Sequence, residues 1–308
     1  MSLAIRAGRR SVEITRPDKV LFPPGLTKAD LAGYYQAVAG TMLPHLVGRP
    51  LNLERYPDGI NGQRIIQQHA SPHFPDWVGR VTVQARKGEV DHVAAGDPAT
   101  LVYLAGQACI TVHRWLSRSD NLGRPDLLVV DLDPSSDRPS EVRRAARIFG
   151  ALLRELGLQP WAMTTGSRGY HVVVSLQRRA DFDTVRGFAR SLAELAVARE
   201  PRLFTNEQRK AKREGRILVD VMRNAYGQTV VAPYAVRARP RAPVATPLRW
   251  EELEESRTSA KRWTIRTVPE RIARDGDPWS GLARKRHTLT RAGELLEQAL
   301  AEARGPSA

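Results

Sequence analysis

Between residues 127 and 222 the apolar positions change their period several times, and each change predicts an element. Leu127 to Asp133 alternates with a period of two. Leu127, Val129, Asp131 and Asp133 therefore share one face of a strand, and Leu128, Val130 and Leu132 share the other. From Ser140 to Leu156 the spacing turns helical, through Val142, Ala145, Ile148, Phe149, Leu152 and Leu156, with Gly157 closing the helix. Trp161–Thr165 and Tyr170–Leu176 return to strand spacing, joined by Gly166-Ser167-Arg168-Gly169. Asp183 reads as the cap of a helix carrying Val185, Phe188, Leu192 and Leu195, and Arg216–Met222 is a further strand. Strand, helix, strand, strand, helix, strand is the split βαβ order of a ferredoxin-like layer.

That order has a geometric consequence. Its first strand lies between the third and the fourth, antiparallel to both, so His171 and the 166–169 turn fall beside Asp131 and Asp133. Asp220, alternating with Ile217, Val219 and Val221, joins them on the same face. The triplets Leu128/Val130/Leu132, Val172/Val174/Leu176 and Ile217/Val219/Val221 are aliphatic and claim the helix-covered face. The opposite face is left for chemistry.

Patterns elsewhere are shorter. Thr27 with Asp30 has capping-box spacing and opens a helix carrying Leu31, Tyr34, Tyr35, Val38 and Met42. Residues 50–93 read as short strands and loops, with strands at Leu51–Tyr56, Arg64–Gln68 and Val78–Val83. Asp97-Pro98 opens a helix-like segment through Cys109, and Ile110–Trp115 follows as a strand. Thr229–Val236 is a strand that pairs with a neighbour; Trp250 starts a short helix. The tail from residue 281 is helical, with a frayed end at Gly305–Ala308.

Composition sets bounds. Apolar residues make up 42% of the 308 and charged ones 26%, as in a soluble globular protein. No apolar run reaches the ~20 residues that span a bilayer, and no signal-peptide core is present, so no membrane partner and a cytoplasmic location are expected. The single cysteine, Cys109, excludes an internal disulfide framework and reads as a buried small hydrophobe. Net charge changes the picture more. It is +15, with 41 arginines to seven lysines. Guanidinium forks suit bidentate contact with phosphate, which makes nucleic acid the expected partner. Within the basic run of residues 200–215, each cation taken singly reads as part of a solvated loop, and the run as a whole reads as a surface able to lie along a phosphate backbone.

Two carboxylates two residues apart at the end of an apolar strand are costly to bury unpaired, and a hard divalent cation is the ordinary reason to place them there. Asp133-Pro134 followed by Ser135-Ser136-Asp137 also reads as a plain turn. Asp220 as a third carboxylate on the face favours the cation. Two such ions, ~3.5–4 Å apart, suit phosphoryl or nucleotidyl transfer. Thr165-Gly-Ser-Arg-Gly-Tyr-His171 adds turn N–H groups, hydroxyls at Thr165 and Ser167, and an imidazole, all able to hold triphosphate oxygens. His69 and His73 sit four apart with no cysteine nearby and read as surface loop.

An ordered set of motifs carries a resemblance. His113-Arg-Trp-Leu-Ser-Arg-Ser-Asp with Arg124-Pro-Asp, Asp131-Leu-Asp-Pro, Thr165 to His171, Ile217-Leu-Val-Asp220 with Arg223-Asn224, Val231-Ala-Pro-Tyr-Ala-Val-Arg237 and Trp263-Thr-Ile-Arg-Thr-Val-Pro follow one another. From about Ile14 to Trp279 the chain resembles the primase-polymerase domain of bacterial ligase D, in the archaeo-eukaryotic primase superfamily. The resemblance implies an α+β, primase-like fold: a ferredoxin/RRM-like β-α-β-β-α-β catalytic layer packed with an N-terminal α/β module. One domain would span 1–308, with the module at about 1–125, the catalytic sheet and flanks at about 126–280, and a helix and tail at 281–308. It implies a free-standing form, since no ligase or nuclease segment follows.

The implied activity is template-dependent addition of NTPs, ribonucleotides preferred, to 3′ ends at gaps and double-strand breaks, using Mn²⁺ or Mg²⁺. De novo priming for damage tolerance or replication restart, and a non-catalytic nucleic-acid-binding role, are the alternatives. Carried over by position, Asp131, Asp133 and Asp220 would bind two metal ions. Thr165, Ser167, His171, Arg237 and Arg55 would hold the triphosphate, and His113 would meet the sugar. Lys19 and Lys28 would grip a downstream 5′-phosphate. Ku and a separate ATP-dependent DNA ligase are implied partners, in a nucleoid-associated setting. Where the family has a paired phenylalanine and then a lysine against the template, this chain has Ile65, Ile66, Gln67 and Gln68. Isoleucine can wedge against a base but cannot stack on it as a ring does. Thr165 and Ala235 stand where serines are usual.

Overall fold

The structure, a computed structural model, describes residues 2–85 and 88–304. They form two compact units. One takes the chain up to Leu122, then Thr229–Thr246 and Trp263–Asp277; the other takes Gly123–Gln228, Pro247–Arg262 and the chain from Pro278 onward.

The second unit holds the split βαβ layer. Its sheet runs Phe204–Thr205, Ile217–Asp220, Leu127–Pro134, Tyr170–Ser175, Pro160–Thr164, Pro247–Leu248 in spatial order. The Leu127–Pro134 strand lies between its third and fourth partners and is antiparallel to both, as the sequence order requires. Helices Pro139–Glu155 and Phe182–Arg199 pack on the sheet, and the Thr290–Arg304 helix packs on the latter. Asp181, not Asp183, caps the second helix: its extended backbone lets the carboxylate accept from Thr184 N–H, while Asp183 lies in the first turn.

The fourth strand ends at Asp220 rather than Met222, and a 3₁₀ turn, Met222–Asn224, follows. Asn224 takes over as a surrogate strand residue. Fully buried, its amide accepts from Val129 N–H (2.9 Å) and donates to Val129 C=O (2.7 Å), satisfying both backbone groups where the neighbouring strand has stopped. Leu127 and Val129 are buried as completely as the helix-facing residues. The face expected to be free is thus open only at its Asp131–Asp133 end.

The first unit is built on a sheet of Thr229–Val231, Cys109–Trp115, Leu51–Arg55, Gly88–Ala94 and Gly79–Ala85, with Ile65–Gln67 also pairing with Leu51–Arg55. Gly88–Ala94 escaped the sequence pattern because Glu89, Asp91 and His92 dilute its apolar alternation. Helix Lys28–Met42 starts at the expected capping box of Thr27 and Asp30 and packs on helix Pro98–Gly106. The latter stops before Cys109, which is fully buried in the next strand. His45 Nε2 lies 3.0 Å from Asp277, and the Tyr234 hydroxyl donates to the same carboxylate at 2.6 Å. Gly305–Ala308, read as a frayed end, lies outside the described residues.

Candidate active site

Glycine fixes the turn beside the acidic strand. Gly166 has φ +65°, a left-handed conformation that side chains resist, and a Cβ at Gly169 would collide with the carbonyl oxygen of Leu132. The turn can therefore lie tight against the end of the Leu127–Pro134 strand. Thr165 closes it from within: its Oγ accepts from the N–H of Ser167 (3.3 Å) and Gly169 (3.2 Å) and donates to Gly169 C=O (3.0 Å).

Register assembles the acidic face. Asp131 stands opposite His171 on one side and opposite Asp220 on the other, and directly opposed residues share a face. Asp133 follows two residues on, on that face. His171 is buried, with Nε2 3.6 Å from an Asp131 oxygen, while its Nδ1 is buried without a hydrogen-bond partner. Burial pushes the Asp220 carboxyl up from its ordinary 3.8. The Met222 N–H and the Arg223 guanidinium oppose this, and the charges of Asp131 and Asp133 add to it.

Oxygen donors from three carboxylates gathered at one open sheet end fit a hard divalent cation. Among the described residues no three His, Cys, Asp or Glu side chains already converge on one point. Asp133 is engaged instead by arginines: Arg213 Nη1 donates to Oδ2 at 2.9 Å, and Arg168 lies 3.6 Å from Oδ1. Arg213 corrects the expectation that each cation of its run, taken singly, belongs to a solvated loop. It is only 5% exposed and also donates to the carbonyls of Glu207 and Gln208. Charge counting could not single it out among its basic neighbours. The usable signal is Gly215, whose φ of +82° turns the chain back into the Ile217–Asp220 strand.

The remaining candidates lie on the first unit. His113 and Glu54 are diagonal neighbours on adjacent strands, with Nε2 3.3 Å from Oε1. Burial alone would raise Glu54; the hydrogen bond and charge of His113, joined by Arg237 and Arg64, take it below its usual value. Arg55 donates to Gln107 C=O and to Gln67 Oε1, both at 2.9 Å. Lys19 pairs with Asp58 at 2.7 Å, and buried Lys28 donates to Thr15 C=O at 2.9 Å. Burial lowers the pKa of Lys28, and Arg16, Lys19 and Arg55 lower it further, so these four cations form one group. Arg16 and Glu54 were missed in the sequence, where neither stands in a motif. Ile65, Ile66 and Gln68 are all exposed, Ile66 at 57%.

Known proteins resemble the chain over nearly all of this. A family profile described as the LigD primase-polymerase domain matches residues 27–279. The multifunctional non-homologous end joining protein LigD of Pseudomonas aeruginosa is 33% identical over 293 residues, 94% of this chain and 35% of that protein. The bifunctional LigD of Bacillus subtilis is 30% identical over 271 residues, 87% of this chain and 43% of its own length. The chain thus spans less than half the length of these relatives. In structure it resembles the polymerase domain of Mycobacterium tuberculosis ligase D in complex with DNA, at a TM-score of 0.84 and 31% identity, over 90% of this chain and 99% of that one.

Proposed function

The chain belongs to the family of LigD primase-polymerase domains, and from that membership we propose that it is a template-directed nucleotidyltransferase of DNA repair. It adds nucleotides, ribonucleotides by preference, to 3′ ends at short gaps and double-strand breaks. Residues 1–308 work as one primase-polymerase domain in this reading, in the cytoplasm and on the nucleoid, with Ku and a separate ATP-dependent DNA ligase as partners. The solved relative's complex with DNA supports a DNA substrate.

One observation carries the chemistry: Asp131 in register with Asp220, Asp133 next on the same face, and the Asp220 carboxyl raised in part by the other two. These three would hold Mn²⁺ or Mg²⁺, two ions in this reading. Such cations, when bound, lower the pKa of an attacking hydroxyl and stabilise charge on the leaving oxygen. The chain's own part is placement. His171, whose Nε2 lies beside Asp131, offers a ring donor to a triphosphate oxygen, and Ser167 offers its hydroxyl. Thr165 contributes by shaping the turn, since its hydroxyl is already engaged there. On the first unit, Arg55 and Arg237 supply charge for the triphosphate, and His113, oriented by Glu54, meets the sugar. Lys19 and Lys28 take the 5′-phosphate of a downstream strand; Ile65, Ile66 and Gln68 meet the template.

Primer extension across a one-nucleotide gap tests this. Asp131→Ala and Asp220→Ala are each expected to slow extension about 10²–10³-fold or more, the scale on which removing a charge-stabilising group acts. DNA binding, read by anisotropy, should largely survive. Extension at the parent rate in either variant would sink the assignment.

A further inference from the structure

Val129 and Met222 would face each other across the sheet if the Ile217–Asp220 strand ran on. Asp131 stands opposite Asp220, so two residues further along each antiparallel strand 129 meets 222. Both backbone groups of Val129 point to that side, since Asn224 engages them there. In a continued ladder Met222 N–H would donate to Val129 C=O, and Met222 C=O would accept from Val129 N–H. Neither bond forms. The strand stops at Asp220, and Met222 enters the Met222–Asn224 turn.

Asn224 is what displaces Met222 from the ladder. Its Oδ1 accepts from Val129 N–H at 2.9 Å, and its Nδ2 donates to Val129 C=O at 2.7 Å and to Val221 C=O at 2.9 Å. One buried amide thereby pairs with the neighbouring strand and closes the turn that follows Asp220. With Val129 satisfied, both backbone groups of Met222 find other partners. Its C=O accepts from Ala225 N–H at 3.2 Å, and its N–H donates to Asp220 Oδ1 at 2.9 Å. That last bond fixes how the carboxylate is turned. Oδ1 is engaged, and Oδ2, 4.0 Å from Arg223 Nε, is the freer oxygen. Carboxylates that bind metal are themselves held by hydrogen bonds, and removing such a support weakens the metal about 10–100-fold.

We propose that Asn224 is a positioning residue for the acidic face: by taking both backbone groups of Val129, it frees the Met222 N–H to hold the Asp220 carboxylate in place for a divalent cation. The proposal rests on the reading of Asp131, Asp133 and Asp220 as cation ligands. Asparagine suits the task because its amide carries an acceptor and donors on one fork. An ionised aspartate would lack the donors, and a leucine would leave both Val129 groups buried and unpaired.

The test titrates Mn²⁺ alone into the whole chain, without nucleotide or DNA, and follows the free ion by electron paramagnetic resonance. Asn224→Ser shortens the side chain out of reach of Val129 and leaves room for a water to pair with it; Asn224→Ala removes the polar group altogether. Each is expected to weaken Mn²⁺ about 10-fold. A merely structural role would lower the thermal midpoint and leave the Mn²⁺ affinity of the folded protein as it was. The Asp220→Ala background then separates direct from indirect action. If Asn224 acts through Asp220, adding Asn224→Ser to Asp220→Ala weakens Mn²⁺ no further. Parent affinity in the Asn224 variants, or the same 10-fold loss in both backgrounds, overturns the proposal; should Asn224→Ala fail to fold, Asn224→Ser decides alone. If Asp220→Ala binds Mn²⁺ as the parent does, the cation reading itself falls and takes the proposal with it. A loss at Asp220 with none at Asn224 refutes the proposal alone.

Discussion

The groups around Lys28 and around Asp220 are crowds of like charge with opposite signs, one on each unit. Burial and the cations Arg16, Lys19 and Arg55 depress Lys28; burial and the carboxylates Asp131 and Asp133 raise Asp220. Glu54 shows the contrary arrangement. It too is drawn out of water, but His113, Arg237 and Arg64 surround it and its acidity increases. Glu54 is more than matched by the chain's own cations. Around Lys28 and Asp220 each crowd has partners for some members, Asp58 for Lys19 and Arg213 with Arg168 for Asp133. Like charge still dominates there, which suits a ligand of the other sign.

The largest expected effect on binding breaks the cationic side. Lys19→Ala combined with Lys28→Ala should cut the preference for a gapped duplex bearing a 5′-phosphate over one without it by about 10-fold or more, the weight of charge-assisted bonds to phosphate. Competition titration of the two duplexes measures it, and an undiminished preference would take the anion away from that crowd. Next, Arg213→Ala removes a buried guanidinium with three acceptors, including Asp133, and should cost about 1–3 kcal/mol by denaturant unfolding. A cost near zero would show that Asp133 needs no counter-charge from the chain.

Glu54→Gln sharpens the contrast through pH. Because the folded value of Glu54 is depressed, its contribution is complete above its ordinary 4.5 and disappears as pH falls through the lowered value. The variant should therefore lose about 1 kcal/mol at pH 7 and draw level with the parent in acid. Asp220→Asn should give the smallest effect, with the opposite sign. A raised carboxyl stabilises the fold below its ordinary 3.8, and that advantage is lost as pH rises through the raised value. At neutral pH the ionised Asp220 is a burden, so the metal-free variant should gain roughly 0.5–1 kcal/mol while losing activity. A loss of stability instead would mean that the acidic crowd is already matched.

The acidic layer was legible because three aliphatic triplets with period two leave little freedom in strand order, and that order then sets Asp131 against both His171 and Asp220. Side-chain substitution for backbone was not legible. Nothing in Arg223-Asn224 announces that Asn224 will complete the pairing of Val129 and shorten the fourth strand. Arg213 was hidden for a similar reason: its partners are mostly carbonyls, and carbonyl positions leave no trace in composition. The cap at Asp181 leaves no separate mark in the sequence, since Asp181 and Asp183 are two apart and only the extended backbone of Asp181 distinguishes it as the cap.

The order in which the two units draw on the chain has a practical corollary for anyone who would dissect the molecule. A fragment ending at Leu122 would lack Thr229–Val231, the edge strand of its own sheet, and both Tyr234 and Asp277, the partners that hold His45. Truncation after Leu122 cannot free the first unit, whereas every segment of the second lies after that point. The first unit is complete only when the chain runs from near the first residue to Asp277, and a nonsense mutation anywhere between leaves both units unfinished.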